Sequence, residues 1–433
     1  MRKSVFYFTI FFLIVNVVGQ HGLTDQEKWK VSFSDLNITI HMDEEAQSKL
    51  KINLFDEQLK GSKFRLKSEK THISTVPDEY IHLNGSSWEG YVLVKGVFLG
   101  KTKICVELIL SNNQSEISSN CQDIIVIRKM RIIDHVFTGS VALLVSLLYI
   151  NFGAALDLSV LKGILKKPVG PAIGCFCQFI LMPVMSYALG YALFATDINM
   201  WLGLFFTGVS PGGGASNMWT VILKGNINLS IVMTTISNLG AFAMMPLWIF
   251  TLGKTIFDYG DLKIPYDRIA TFAVSLVVPL LIGIGIQKFL PRIARVLSRL
   301  LRPISAILII FIIIFATVTN LYLFELFSWQ IVVAGLGLPW LTYCLSWCVA
   351  KLLKQNDIDC LAIAIEAGIQ NTGIAIFMLR FSLGQPEADL TTVIPVSVAI
   401  MTPIPLFLLY LVQKVRSCRR NAKGLQEIEN DNE

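Results

Sequence analysis

Histidine is missing from the last two thirds of this 433-residue chain: all five, at positions 21, 41, 72, 82 and 135, precede the first long apolar run of its second part. An imidazole proton relay or a His-ligated metal within the later apolar segments is thereby excluded. Charge is scarce too. Asp, Glu, Lys and Arg make up 16% of residues against 53% hydrophobic, and the mean hydropathy is +0.59. Ordinary soluble domains carry about 25% charged residues, so this chain belongs in a bilayer. Its net charge of +6 does not mark a nucleic-acid binder, because the cations sit in short clusters between apolar runs rather than on one face. No Gly-x-x-x-x-Gly-Lys sequence occurs, so no P-loop supplies energy. Cys175-Phe176-Cys177 is half a metal site with no His nearby and reads as core packing.

What is present begins with a targeting signal. Arg2 and Lys3 precede an apolar run from Val5 to Val18, with small residues ahead of Gln20, so residues 1–19 read as a cleaved signal peptide; a retained signal anchor is the alternative. Residues 20–131 are polar and carry the sequons that begin at Asn37, Asn84 and Asn113, each an expected glycan acceptor in an extracellular domain. Short β-like runs at 51–55, 91–99, 103–110 and 123–127, parted by Gly, Asn and Ser, predict a small β-sandwich-like domain. Cys105 and Cys121 are its only cysteines, and in an oxidising compartment they are expected to pair.

Apolar runs follow at 136–155, 168–193, 200–223, 229–252, 269–288, 303–323, 330–350, 358–380 and 390–412, which predicts an all-α polytopic domain of nine transmembrane helices over 132–415. With the amino terminus outside, an odd number leaves 416–433 as a cytosolic tail. The loops then placed inside hold Lys162, Lys166, Lys167, Lys224, Arg292, Arg295, Arg299, Arg302, Lys351 and Lys354, as the positive-inside rule requires. Plasma-membrane residence is the expectation. The acidic end from Gln426 is predicted to be disordered.

Two runs are unfit for plain helices. The third contains Ser210-Pro211-Gly212-Gly213-Gly214-Ala215-Ser216-Asn217, and Pro with three glycines should break it at mid-membrane. Freed backbone groups there must line a cavity or meet an ion. The eighth contains Glu366-Ala367-Gly368-Ile369-Gln370-Asn371, and Glu366 is the one acid deep in any apolar run. A carboxylate at that depth costs roughly 2.5 kcal/mol or more unless it is compensated, and no Lys or Arg lies at its level. It is either protonated or balanced by a cation from solution. Gln370, one turn on, with Ser216, Asn217, Ser230 and Thr234, supplies hydroxyl and amide oxygens, which with a single carboxylate suit a hard monovalent ion such as sodium. Gly208-Val209-Ser210-Pro211-Gly212 imitates a hydrolase elbow, but no strand precedes it, Pro follows the Ser and no His lies within the apolar runs to act as base, so no enzyme is predicted.

Together, Gln178-Phe179-Ile180-Leu181-Met182-Pro183, the run from Ser210 to Asn217, Leu229-Ser230 with Thr234, and the run from Ile365 to Asn371 resemble the sodium/bile acid cotransporter family, solute carrier family 10, over about 136–415. The resemblance implies an inverted-repeat fold with two crossed broken helices and two transported sodium ions. One ion would take Ser216, Asn217, Ser230, Thr234 and Glu366. The other would take Gln178, Glu366, Gln370 and the carbonyls of Ala367 and Ile369, with Ile at 369 where the family usually has Met. Asn371, Gly213 and Gly214 would face the substrate, a small organic anion of the bile acid or sulfated steroid class. Two alternatives stay open: a proton-coupled carrier that titrates Glu366, and a receptor or adhesion protein whose transporter-derived membrane part moves nothing.

Overall fold

The computed structural model describes residues 28–56, 59, 61–83, 85–110, 114–155, 168–319 and 326–430. They form two compact units, which divide between Lys129 and Met130. The expected signal segment 1–19 and the sequon residues Asn84 and Asn113 lie outside the described residues.

The first unit is built of strands β1 (Trp29–Phe33), β2 (Asn37–His41), β3 (Glu45–Leu54), β4 (Lys63–Ser68), β5 (Ser74–Thr75), β6 (Tyr80–Ile81), β7 (Ser87–Gly96), β8 (Gly100–Ile109), β9 (Ser115–Ile117) and β10 (Gln122–Ile127). One sheet runs β1-β3-β7-β5 and the other β2-β10-β8-β4-β6, with β9 also on β8. Alternation drives the burial: in β1, Trp29, Val31 and Phe33 are inside while Lys30 and Ser32 face out. Leu50, Ile52 and Val94 of the first sheet meet Phe64, Ile104, Val106, Ile124 and Val126 of the second in one core. Ser48 Oγ donates to Gln122 Oε1 at 2.8 Å and Gln122 Nε2 to the Asp35 carbonyl at 2.7 Å, so the buried polar link between the sheets is satisfied. Four of these strands, β3, β7, β8 and β10, overlap the predicted β-like runs; the other six, β1, β2, β4, β5, β6 and β9, lie outside them. Cys105 on β8 and Cys121, just ahead of β10, are disulfide-bonded with Cα atoms 4.4 Å apart. Asn37 is exposed at the start of the edge strand β2. On the outer face Glu107 is buried beneath Arg65, whose Nε donates to its carboxylate at 2.7 Å, and this bond holds the Glu107 carboxyl below its ordinary value.

The second unit is helical: α1 (Ile132–Ala155), α2 (Val169–Phe194), α3 (Ile198–Val209), α4 (Ala215–Ile222), α5 (Ile227–Tyr259), α6 (Tyr266–Phe289), α7 (Pro291–Thr319), α8 (Trp329–Leu352), α9 (Asp357–Gly368), α10 (Thr372–Ser382) and α11 (Glu387–Arg419). Six of these described helices, α1, α2, α5, α6, α8 and α11, are long and apolar enough to cross a membrane. The run at 200–223 is two short helices, α3 and α4, and that at 358–380 is α9 and α10, so neither contributes a single long span. The run at 303–323 lies on α7 as far as Thr319, and its last residues fall outside the described ones. The chain stays helical to Asn430, which corrects the expectation of disorder from Gln426: Leu425, Gln426, Glu427 and Glu429 lie in a stretch of helix formers.

Candidate ion and substrate site

Pro183 removes one helical donor from α2, and the ladder widens into a π-turn over Cys177–Leu181. The Phe179 carbonyl, four residues before Pro183, accepts instead from the Trp248 indole of α5 at 2.7 Å. Gln178 sits in this turn, buried and aimed inward.

Both breaks follow from local chemistry. Ser210, preceding Pro211, takes an extended conformation that ends α3. Ile369 is likewise extended beyond Gly368, and Asn371 caps α10 by accepting from Ile374 N. The two breaks then pair with each other. Gly213 N donates to the Ile369 carbonyl at 2.7 Å and Asn371 N to the Pro211 carbonyl at 2.8 Å, with Gly212 opposite Gln370 in an antiparallel bridge. A Cβ on Gly213 would lie 2.9 Å from the Gln370 carbonyl oxygen, so only glycine permits the approach. The crossing brings together the amino ends of α4 and α10 and the carboxyl ends of α3 and α9, which favour anions and cations respectively.

Glu366, 1% exposed, hangs from the last turn of α9. Thr234 Oγ1 donates to its Oε1 at 2.6 Å and Ser230 Oγ to its Oε2 at 3.1 Å. Asn217 joins them, with Oδ1 2.9 Å from Ser230 Oγ and Nδ2 3.2 Å from Thr234 Oγ1. Among the described residues no Lys or Arg pairs with Glu366. Ser216 Oγ is wholly buried beside the Glu366 carboxylate without a well-formed hydrogen bond, a position in which it could turn its oxygen to a bound cation. On the other side of the bridge Gln178 and Gln370 exchange amide hydrogen bonds of 2.9 and 3.3 Å, Gln178 Nε2 also donates to the Ser210 carbonyl, and Gln370 Nε2 donates to the Ala367 carbonyl at 2.8 Å. Rotating these amides would turn their oxygens, with the Ala367 carbonyl, toward a cation.

The sequence-derived set thus converges. Ser216, Asn217, Ser230, Thr234 and Glu366 form one cluster; Gln178, Gln370 and the Ala367 carbonyl form a second beside it. The Ile369 carbonyl has one lone pair taken by Gly213. Asn371 is buried with its side chain engaged as a cap, and Gly214 is half-buried at the start of α4. Two partners went unread: Thr220, which donates to Ser230 Oγ at 3.3 Å, and Ser237, which accepts from Gly212 N at 2.7 Å. Helical spacing from Ser230 was the available signal for the second.

Paired breaks around a buried carboxylate and neutral oxygens, within a bundle of apolar helices, define a multi-pass membrane transporter rather than an enzyme. The pattern of the Sodium Bile acid symporter family matches residues 142–325, which include the first break and the hydroxyls of α5 but end before Glu366. The ileal sodium/bile acid cotransporter of Oryctolagus cuniculus is 32% identical over 264 residues, 60% of this chain and 74% of that protein. The sodium-dependent organic anion transporter of Bos taurus is 31% identical over 58% of this chain and 66% of its own length. The P3 protein of Homo sapiens is 28% identical over 60% of this chain, and the match spans only 54% of that relative. Among solved structures, domains 4 and 5 of the S-layer protein SbsC align over 22% of this chain at 17% identity and a TM-score of 0.17, below what a shared fold requires. The chain belongs to the sodium bile acid symporter family.

Proposed function

We propose that this chain is a secondary active symporter that couples inward sodium movement to uptake of an organic anion, of the bile acid or sulfated steroid class, by alternating access. The observation that carries the reading is Glu366: a buried carboxylate at the crossing of two broken helices, with only hydroxyl side chains, Ser230, Thr234 and the adjacent Ser216, about it among the described residues. One sodium ion would be held by Ser216, Asn217, Ser230, Thr234 and Glu366. A second would be held by Gln178, Gln370, Glu366 and the carbonyls of Ala367 and Ile369. Such oxygen sets with one carboxylate suit sodium, and relatives named for sodium dependence support the choice. Asn371, Gly213 and Gly214, next to the amino ends of α4 and α10, would meet the substrate's negative group.

In this reading nine spans cross the plasma membrane. The N-terminal β unit lies outside, with glycans on Asn37, Asn84 and Asn113 and the Cys105–Cys121 disulfide, and the carboxyl terminus lies in the cytosol. Each net positive charge carried inward gains about 2.3 kcal/mol per 100 mV of inside-negative potential. The test is uptake of labelled bile acids and steroid sulfates by cells that express the chain, in sodium and in choline, with a pH series. Accumulation that requires sodium supports the reading. Accumulation that ignores sodium and follows the proton gradient would replace it with a proton-coupled carrier.

A further inference from the structure

The polar face of α5 continues past the residues that reach Glu366. Ser230, Thr234 and Ser237 stand at i, i+4 and i+7, on one side of the helix, and all three are buried. The first two contact the carboxylate. Ser237 Oγ instead accepts from Gly212 N at 2.7 Å. The reason lies in the bridge between the breaks. Its two backbone hydrogen bonds, from Gly213 N and Asn371 N, flank Gly212 and Gln370, which therefore form a non-hydrogen-bonded pair whose own amides point away from the partner segment. The Gly212 N–H is turned toward α5, and the Ser237 hydroxyl is its acceptor. A Cβ on Gly212 would lie 2.9 Å from Glu366 Oε1 and 3.3 Å from Ser237 Oγ, so this backbone is wedged between the carboxylate and the hydroxyl.

We propose that Ser237 is a positioning residue for sodium: it fixes Gly212, and through the bridge the carbonyls of the second break, at the separation from Glu366 that the ion requires. The proposal rests on the sodium reading above. Ser237 acts through Gly212, and Glu366 is not among its hydrogen-bond partners in the described residues. An unanswered amide at Gly212 would let the break drift away from α5, because a buried donor without an acceptor is driven to find another.

The test is the thermal midpoint of the purified full-length protein against NaCl, with ionic strength held by choline chloride. It compares wild type with Ser237→Ala and with the isosteric pair Ser237→Thr and Ser237→Val, of which only Thr keeps the hydroxyl. The sodium concentration for half-maximal stabilisation is expected to rise about tenfold or more in the Ala and Val variants, the factor that corresponds to ~1.4 kcal/mol. It should stay within about threefold of wild type in the Thr variant. Should Ser237→Ala fail to fold, the Thr and Val variants decide between themselves, since they share one shape. Equal half-saturation in Thr and Val overturns the proposal, as does a Val effect confined to the choline midpoint. Sodium stabilisation missing from wild type would overturn the sodium reading itself, a result distinct from either.

Discussion

Glu366 concentrates the chemistry of the molecule because both oxygen clusters adjoin it while no cation of the protein neutralises it among the described residues. Its neighbours are not equivalent to it. Asn217 and Gln370 each offer a neutral oxygen, so Asn217→Ala and Gln370→Ala should each remove about 1 kcal/mol of ion binding and raise half-saturating sodium roughly fivefold. Sodium-dependent thermal shifts of the two purified variants check this, and a larger loss than that caused by Glu366→Gln would contradict it. At this scale the sequence was highly legible. A lone acid in an apolar run stands out by its desolvation cost, and Ser and Asn beside three glycines stand out by their misfit in a helix. Ser237 did not stand out, since a single serine in a membrane helix ordinarily returns its hydroxyl to its own backbone. What gives it another role is the direction of the Gly212 amide, which only the crossing of the breaks determines.

At the scale of elements, the two breaks act as one unit because their backbones bond to each other. Gly213→Ala would place a methyl against the Gln370 carbonyl, an atom that cannot rotate aside, and should separate the breaks. Half-maximal sodium stabilisation is expected to weaken by about tenfold or more. Gly285→Ala on α6, where a Cβ meets nothing within 4 Å, serves as the control and should leave sodium binding unchanged. The breaks were readable from Pro211 and the glycines, yet their pairing was not, since no local pattern announces a contact between segments more than 150 residues apart. In the β unit, β1 and β4 are short and β2 joins the sheet by parallel pairing to β10, a long-range match that strand patterning does not reveal. Arg65 and Glu107 hold β4 against β8 there. The folded-state carboxyl of Glu107 titrates below its unfolded value of about 4.3. Its stabilising contribution is therefore complete above that value and is lost as pH falls through the lower, folded one. Amide protection over β4 and β8 in the full-length protein, taken relative to the intrinsic exchange rate at each pH, should fall on acidification through that window, and Glu107→Gln should lower it already at neutral pH. Unchanged protection in the variant would show that Glu107 does not hold these strands together.

For the whole molecule, six of the nine runs are long apolar helices among the described residues; two of the others are interrupted at the site, and the run at 303–323 leaves the described residues after Thr319. Function is thus the reason the span count is hard to read from helix length alone. The proposed orientation makes a chemical prediction. Asn37 should carry a glycan in the exported β unit, whereas Asn228, whose sequon ends in Ser230, should carry none because it adjoins the cytosolic Lys224. Glycosidase shifts on Asn37→Gln and Asn228→Gln check this, and a glycan on Asn228 would reverse the orientation. The central claim, that sodium binds at Glu366, is reached most directly by equilibrium binding of radiolabelled sodium to the purified full-length protein at constant ionic strength, with Glu366→Gln alongside. Folding of the variant should survive, because an amide is cheaper than a carboxylate in the membrane, and its folding is confirmed by its melting midpoint in choline. Saturable binding by wild type that weakens by about two orders of magnitude in Glu366→Gln is the expected result. No saturable sodium binding by wild type, or equal binding by the two proteins, would contradict it.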